Sequence, residues 1–512
     1  MSGSPGIQIG EQFTTTDEIN VQAAKAATGL SDLGVSQMDT VAMLLRNDIP
    51  FLVTGMAAKL LGSFPVPINW HLSGAEVGFI LEDSSAKVLV VHDDVLQGVG
   101  AENIPNGVHV IVVKTSPFIG SWYGGETANN PLPDGALEWE VWLASHSPWS
   151  EAAPFQTESI IYTSGTTGQP KGVRRERSTP EQMQAMMMGL AAPMGIAPGM
   201  NTIISAPLYH TVPNVCAGAA MTLGAFMVLM PRFDAEEFLR LVETHKLSHF
   251  QMVPTMFVRL LQLPEEVRAK YDMSSIQCVT HSAAPCAPDV KRAMIDWWGP
   301  VINESYGATE LGFLTLSTSE DFLKYPGTVG KPLPEATIKI YNDDGVEVPT
   351  GEQGTVYARL NLFRDFTYVG DDEKRKSVGH EGLVTCGDIG YMNEEGYLFL
   401  CDRAADMIIS GGVNIYPAEI EAALITHDDV QDCAVFGIPD AEMGERVAAI
   451  IEARPGATPN EESIEAFLRD RVAGYKVPRH IEFRENLPRE DSGKLFKRKL
   501  REPFWADSGR SI

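Results

Sequence analysis

The chain has 512 residues, 44% of them apolar, with 40 basic and 67 acidic side chains and a net charge of -27. That length predicts roughly two to four domains with sizeable cores, and so acidic a surface repels phosphate backbones, which excludes nucleic acid as an expected partner. The six cysteines (216, 278, 286, 386, 401 and 433) show no C-x-x-C pair and no zinc-like spacing, so they read as small apolar residues of a reduced protein.

In chain order, Met1-Ser-Gly-Ser-Pro-Gly6 carries neither a basic segment nor an apolar core, so no signal peptide is read and a cytoplasmic protein is expected. The runs Lys87-Val-Leu-Val-Val91 and His109-Val-Ile-Val-Val113 are strand-like and alternate with helical segments, which predicts α/β layering. Next comes Ile161-Tyr-Thr-Ser-Gly-Thr-Thr-Gly-Gln-Pro-Lys-Gly-Val173. Thr163, Ser164, Thr166 and Thr167 supply hydroxyls, Gly165 and Gly168 permit close backbone approach, and Lys171 adds a positive charge. A polyphosphate is the ligand this chemistry suits best. The spacing is not that of Gly-x4-Gly-Lys-Ser/Thr, because Gly165 and Gly168 are too close and Gly172 follows Lys171. The most apolar stretch, 217–230, is too short to span a bilayer.

Residues 285–298 follow a proline with Val290, Met294, Trp297 and Trp298 at helical spacing, which reads as core. Strand-like alternation at 336–341 and 354–360, with turns at 342–345 and 393–396, predicts antiparallel hairpins. A helix opening at Pro417 and a second over 461–472, with Ile464, Phe467, Leu468 and Val472 on one face, predict a compact α/β module. Residues 466–502 hold eleven Lys/Arg against six Asp/Glu, a local basic face able to attract an anionic cosubstrate.

Five segments in order, the loop at 161–173, Tyr306-Gly-Ala-Thr-Glu310, Thr385-Cys-Gly-Asp388 with Asp402-Arg403, Ser410-Gly-Gly-Val-Asn-Ile-Tyr-Pro-Ala-Glu-Ile-Glu421 and Leu487-Pro-Arg-Glu-Asp-Ser-Gly-Lys494, resemble the motifs of the adenylate-forming superfamily. Its members include acyl-CoA synthetases, non-ribosomal adenylation domains and beetle luciferases. The resemblance extends over nearly the whole chain and is strongest to fatty-acyl and steroid-acyl CoA ligases. It implies an α/β fold: a large N-terminal domain (1–402) of stacked αβαβα layers plus a small β-barrel, a hinge at 403–405, and a small mobile α/β C-terminal domain (406–512).

The resemblance also implies roles. ATP, or a preformed acyl-AMP, would be held by Thr163, Ser164, Gly165, Thr166, Thr167, Gly168 and Lys171, by Ser282, Ala283 and Ala284 beside the adenine, by Tyr306 against it, and by Asp388 and Arg403 at the ribose. Thr309 would bond phosphate, Glu310 would hold Mg²⁺, and Lys494 would be the adenylating lysine. His210 would gate an acyl pocket formed with Asn214, Ala283, Ser305, Gly307, Gly312 and Phe313. Gly411 and Gly412 would let the pantetheine arm of coenzyme A pass, with Tyr475 and Arg479 on its nucleotide. A small-molecule carboxylic acid and CoA are the expected partners, and a homodimer is common among relatives.

Departures narrow this. Ser305 stands where an aromatic residue is frequent, and with Gly312 opposite it leaves room for a bulky apolar acid such as a polycyclic terpenoid or steroid acid, or a long-chain one. Ala405 replaces the usual Asp or Lys of the hinge, and Met443 lies where Trp is common. Ala405 opens the alternative of a ligase working mainly on the thioesterification half-reaction, using an adenylate made by another enzyme. A stand-alone adenylation enzyme loading a carrier protein is a further alternative, and a luciferase-like oxygenase is disfavoured by the 410–421 loop.

Overall fold

A computed structural model describes residues 4–124, 132–153, 155–163, 170–404, 406–440, 442–489 and 495–506. Of the residues singled out above, Ser164, Gly165, Thr166, Thr167, Gly168, Ala405 and Lys494 lie outside them.

Residues 40–138 carry a parallel five-stranded sheet ordered Phe64–Pro67, Thr40–Leu44, Ala86–His92, His109–Val113, Leu137–Glu138. Its central strands are almost wholly buried, as continuous Val/Leu runs covered on both faces must be. Helix Thr16–Asp32 packs on helix Ile49–Leu60 over this sheet, and its start is fixed by a capping box between Thr15 and Glu18. A second layer comprises the sheet Asn201–Ile204, Phe226–Leu229, Gly6–Ile9, Gln12–Thr15 and the parallel trio His249–Met252, Cys278–His281, Ile302–Glu304. Asn47, 1% exposed, ties the two regions together: its Nδ2 donates to the carbonyls of Ala206 and Met230, and its Oδ1 accepts from Leu208 N.

The expected hairpins form a curled eight-stranded sheet, in which Ala336–Tyr341 pairs with Gly354–Leu360 and Asp388–Met392 with Leu398–Arg403. The helix read from the tryptophan spacing is Pro288–Trp298, with Met294 and Trp298 buried. The apolar stretch 217–230 divides between helix Thr211–Thr222 and strand Phe226–Leu229. Among the described residues no helix is long and apolar enough to cross a membrane.

Beyond residue 406 a five-stranded sheet is built from Ile408–Ser410, Val413–Ile415, Val430–Asp440, Gly444–Ala453 and His480–Phe483. Its core, around Ile420, Leu424, Val435, Ile451 and Ile464, draws only on residues after 406. The second helix of this unit is Glu461–Arg469, three residues shorter than its apolar spacing predicted. Val472 still packs in the core, carried by a turn rather than a helix.

Candidate active site

The three-stranded sheet Phe366–Tyr368, Lys171–Arg175, Ile161–Thr163 places the first motif. Thr163 pairs with Lys171 across two antiparallel strands. Lys171 Nζ lies 5.9 Å from the centre of the Tyr368 ring. The next strand end, Ile302–Glu304, delivers Ser305 to Glu310 to the same region.

Tyr306 is buried, and its hydroxyl donates to Asp388 Oδ2 at 2.7 Å. Asp388 opens its strand opposite Arg403, whose Nε lies 3.4 Å from Asp388 Oδ1. Burial and then the Asp388 charge hold the Tyr306 phenol well above its ordinary range, so it stays a donor. Burial opposes the charge of Arg403, but its acidic neighbours, Asp388 first among them, together outweigh it and raise the guanidinium. The result is a phenol, a carboxylate and a guanidinium fixed against one another by strand register.

Glu310 is held from two sides. Tyr368 Oη donates to its Oε1 at 3.1 Å, and the Cys386 thiol approaches its Oε2 at 3.9 Å. Burial, then the charges of Glu310 and Asp388, push that thiol well above its usual range, so it acts as a neutral neighbour. Thr309 Oγ1 shares a 2.8 Å hydrogen bond with Thr211 Oγ1. Mg²⁺ takes one or two protein carboxylates and completes its shell with substrate phosphates and water. Glu310, a carboxylate lining the same cavity as Thr163 and Lys171, fits that ion. Among the described residues no cluster of three or more His, Cys, Asp or Glu offers a separate metal cage.

Ala283 adopts φ +74°, a left-handed conformation costly for a non-glycine residue. Its neighbour Ser282 accepts a 2.8 Å hydrogen bond from Gln251 Nε2, which holds the strained segment at the carboxyl end of the strand Cys278–His281. Beneath it lies a buried group in which Lys291 Nζ is 2.8 Å, and His281 Nε2 3.5 Å, from Glu304 Oε2.

His210 precedes helix Thr211–Thr222, its ring 4.4 Å from that of Tyr209. Asn214, one turn on, donates to Leu208 O and accepts from Ser159 Oγ. A cavity of about 2800 Å³ is lined by His210, Asn214, Ser282, Ala283, Ala284, Ser305, Tyr306, Gly307, Thr309, Glu310, Gly312, Phe313, Asp388, Arg403, Thr163 and Lys171. Its apolar wall includes Met56, Met183, Met186, Met194, Val212 and Met221.

Gly312 and Ser305, expected to leave room, both line the cavity. A Cβ on Gly312 would lie 2.7 Å from the Phe363 ring, so that ring fills the room left by the glycine. Ser305 is buried, with its hydroxyl donating to Thr315 O at 2.8 Å, and it serves the backbone there. Gly411, Gly412, Tyr475 and Arg479 do not line this cavity; Tyr475 is exposed on the unit after 406. Met443 Cε would lie 2.4 Å from a Cβ on Gly411, whereas Gly412 faces open space.

Pattern reading missed Arg175, Tyr368, Cys386 and Thr211. Arg175 had one weak signal: Lys171, Val173 and Arg175 alternate and so share a face of their strand.

Residues 7–362 match the model of the AMP-binding enzyme family, and residues 419–494 that of the AMP-binding enzyme C-terminal domain. The chain belongs to the AMP-binding enzyme family. Within the adenylate-forming superfamily it is an acid–thiol ligase of the acyl-CoA synthetase type. It is 31% identical to the long-chain-fatty-acid–CoA ligase FadD13 of Mycobacterium tuberculosis over 96% of this chain and 93% of that one. It is 30% identical to the 3-[(3aS,4S,7aS)-7a-methyl-1,5-dioxo-octahydro-1H-inden-4-yl]propanoyl:CoA ligase of Rhodococcus jostii over 96% and 94%. Among solved structures it resembles the anthranilate CoA ligase AuaEII in complex with anthranoyl-AMP, at 25% identity and TM-score 0.84, over 99% of this chain and 96% of that one.

Proposed function

We propose that this AMP-binding enzyme converts a bulky apolar carboxylic acid, polycyclic or long-chain, first to its acyl-adenylate and then to its acyl-CoA. The observation that carries the reading is the convergence on one cavity of the Tyr306–Asp388–Arg403 cluster, the Tyr368-oriented Glu310 and the Thr163/Lys171 hairpin.

A carboxylate is a poor acyl donor because its leaving group would be oxide. In the first step a carboxylate oxygen attacks the α-phosphate of ATP and pyrophosphate leaves. In the second, the thiol of CoA attacks the acyl carbon and AMP leaves. Asp388 accepts from the ribose hydroxyls, with Arg403 beside it. Ser282 to Ala284 and Tyr306 frame the adenine. Lys171 and Thr309 meet phosphate oxygens, and Glu310 would hold Mg²⁺, which supplies charge neutralisation when bound. Lys494 is the cation expected at the α-phosphate. His210 and Asn214 stand where the acid's carboxyl end meets the nucleotide, and the wall around Met186, Met194 and Val212 takes its apolar body. The unit after 406 would turn about a hinge at 403–405 between the steps, bringing Gly411, Gly412, Tyr475 and Arg479 to the thiol.

The deciding experiment is a screen of long-chain, aryl, steroid and diterpenoid acids. Acid-dependent pyrophosphate exchange reports the first step, and AMP release with CoA or with a carrier protein reports the second. Exchange and CoA-dependent release with a bulky apolar acid are the expected results. CoA transfer from supplied acyl-adenylate without exchange would replace this reading by a thioesterifying ligase. Release with carrier protein alone would replace CoA as acceptor.

A further inference from the structure

Arg175 ends the strand Lys171–Arg175 with its side chain buried. Its Nη2 donates to Thr309 O at 2.7 Å and to Glu310 O at 2.9 Å, and its Nη1 donates to Arg364 O at 3.1 Å. Nε lies 3.6 Å from Glu158 Oε2, and the guanidinium sits 4.3 Å over the Phe363 ring. A planar fork with several donors is the one protein cation that can bridge two successive carbonyls and still face a carboxylate. Burying that charge is costly unless it is paired and bonded, and every contact here answers that demand. The neighbouring strand Phe366–Tyr368 supplies Tyr368, which donates to the Glu310 carboxylate. One small sheet therefore carries Lys171 at the phosphate hairpin, clamps the Glu310 peptide, and aims the Glu310 side chain.

We propose that Arg175 is a positioning residue of the nucleotide site: by holding the Thr309 and Glu310 carbonyls in register with the phosphate hairpin, it presets the Glu310 carboxylate for the Mg²⁺ of MgATP. The inference rests on the adenylation reading above. It assigns Arg175 no contact with substrate. Its effect passes through Glu310, so it should appear in metal dependence rather than in general nucleotide affinity.

The test is calorimetric binding of ATP over a range of Mg²⁺ concentrations, and of AMP without metal, to the parent, Arg175→Lys, Glu310→Gln and the double variant. Arg175→Lys keeps the charge beside Glu158 but loses the fork. It should raise the Mg²⁺ concentration for half-maximal ATP binding about tenfold, as loss of a group that orients a metal ligand does. AMP affinity should fall clearly less than MgATP affinity, since AMP has no β- or γ-phosphate to share a metal with Glu310, while the melting temperature should drop somewhat, because lysine cannot serve all three carbonyls that Arg175 bonds. In the Glu310→Gln background, Arg175→Lys should add less than about twofold, because residues acting through one group are non-additive. Equal losses for AMP and MgATP, an unchanged Mg²⁺ response, or full additivity would each overturn the inference while leaving the adenylation reading standing. A parent that binds neither AMP nor MgATP would overturn the adenylation reading itself, and this inference with it. Arg175→Met is the harsher second variant; should it fail to fold, the Lys variant alone decides.

Discussion

Tyr306, Asp388 and Arg403 are held together by a hydrogen bond and an ion pair, and each was visible in a short motif. What the motif could not show is that the phenol serves the carboxylate. Asp388→Asn keeps the size but removes the charge that Tyr306 and Arg403 face. Hydrogen bonds to charged groups are worth about 1.5–3 kcal/mol, so AMP affinity should fall about 10- to 100-fold. Titration calorimetry reads this directly, and unchanged affinity would remove Asp388 from the ribose site. His281 makes a second, independent prediction. Burial, aided by Lys291, holds its pKa well below the ordinary 6.5. In the unfolded chain it charges near 6.5, so the stability tied to its neutrality is present above that value and is lost as pH falls below it. Glu304, raised by burial, has the opposite sign: the cost of its charge is present at neutral pH and is relieved on acidification. Between pH 7.5 and 5.5 the parent should lose about 1.4 kcal/mol relative to His281→Gln, one proton's worth. Thermal melts of the two proteins at both pH values measure the difference; equal losses would show that His281 titrates normally. Arg175 and Tyr368 escaped pattern reading for a physical reason. Their meaning comes from a pairing of strands nearly 200 residues apart, and local periodicity carries no information about which distant strand becomes a neighbour.

The hairpins at 336–360 and 388–403 were legible because turn residues and alternation agree over short distances. The helix predicted to 472 stops at Arg469 because apolar spacing continues through the following turn, where Val472 reaches the same core. Gly411-Gly412 is the instructive case. It joins Ile408–Ser410 to Val413–Ile415 as a two-residue turn with φ +58° and +80°. Both signs are those of a type I′ turn, which is reason enough for two glycines. The tunnel role must therefore be tested apart from the turn role. Asparagine tolerates a left-handed φ, so Gly412→Asn should melt within a few degrees of the parent. If a side chain there obstructs the pantetheine arm, acyl transfer to CoA should fall at least about tenfold while pyrophosphate exchange persists. Retained transfer would leave Gly412 as a turn residue only.

At the scale of the whole molecule, the described residues include polar contacts between the unit after 406 and the body. Gln262 Nε2 donates to Gln431 O at 3.4 Å, Tyr416 Oη to Gln353 Oε1 at 3.1 Å, and Ala418 N to Asp402 Oδ2 at 2.9 Å. Polar contacts of this kind suit a unit that changes position, as interfaces between mobile domains do. In the arrangement seen, Pro488, Arg489, Leu495 and Lys497, on either side of Lys494 in the chain, line the cavity with Glu310 and Asp388, whereas Gly411, Gly412, Tyr475 and Arg479 do not. This arrangement therefore fits the first half-reaction. Joining Gln262→Cys to Gln431→Cys with a short bismaleimide should fix it. The native thiols compete poorly, because burial pushes Cys401 up to about 11 and Cys216 up to about 12. The linked enzyme should retain acid-dependent pyrophosphate exchange and lose CoA transfer from supplied acyl-adenylate, with both restored in the same variant left unlinked. Loss of exchange with transfer intact would assign this arrangement to the second step. Retention of both would mean that the unit after 406 has no need to move, and that Gly411, Gly412, Tyr475 and Arg479 act, if at all, from where they now stand.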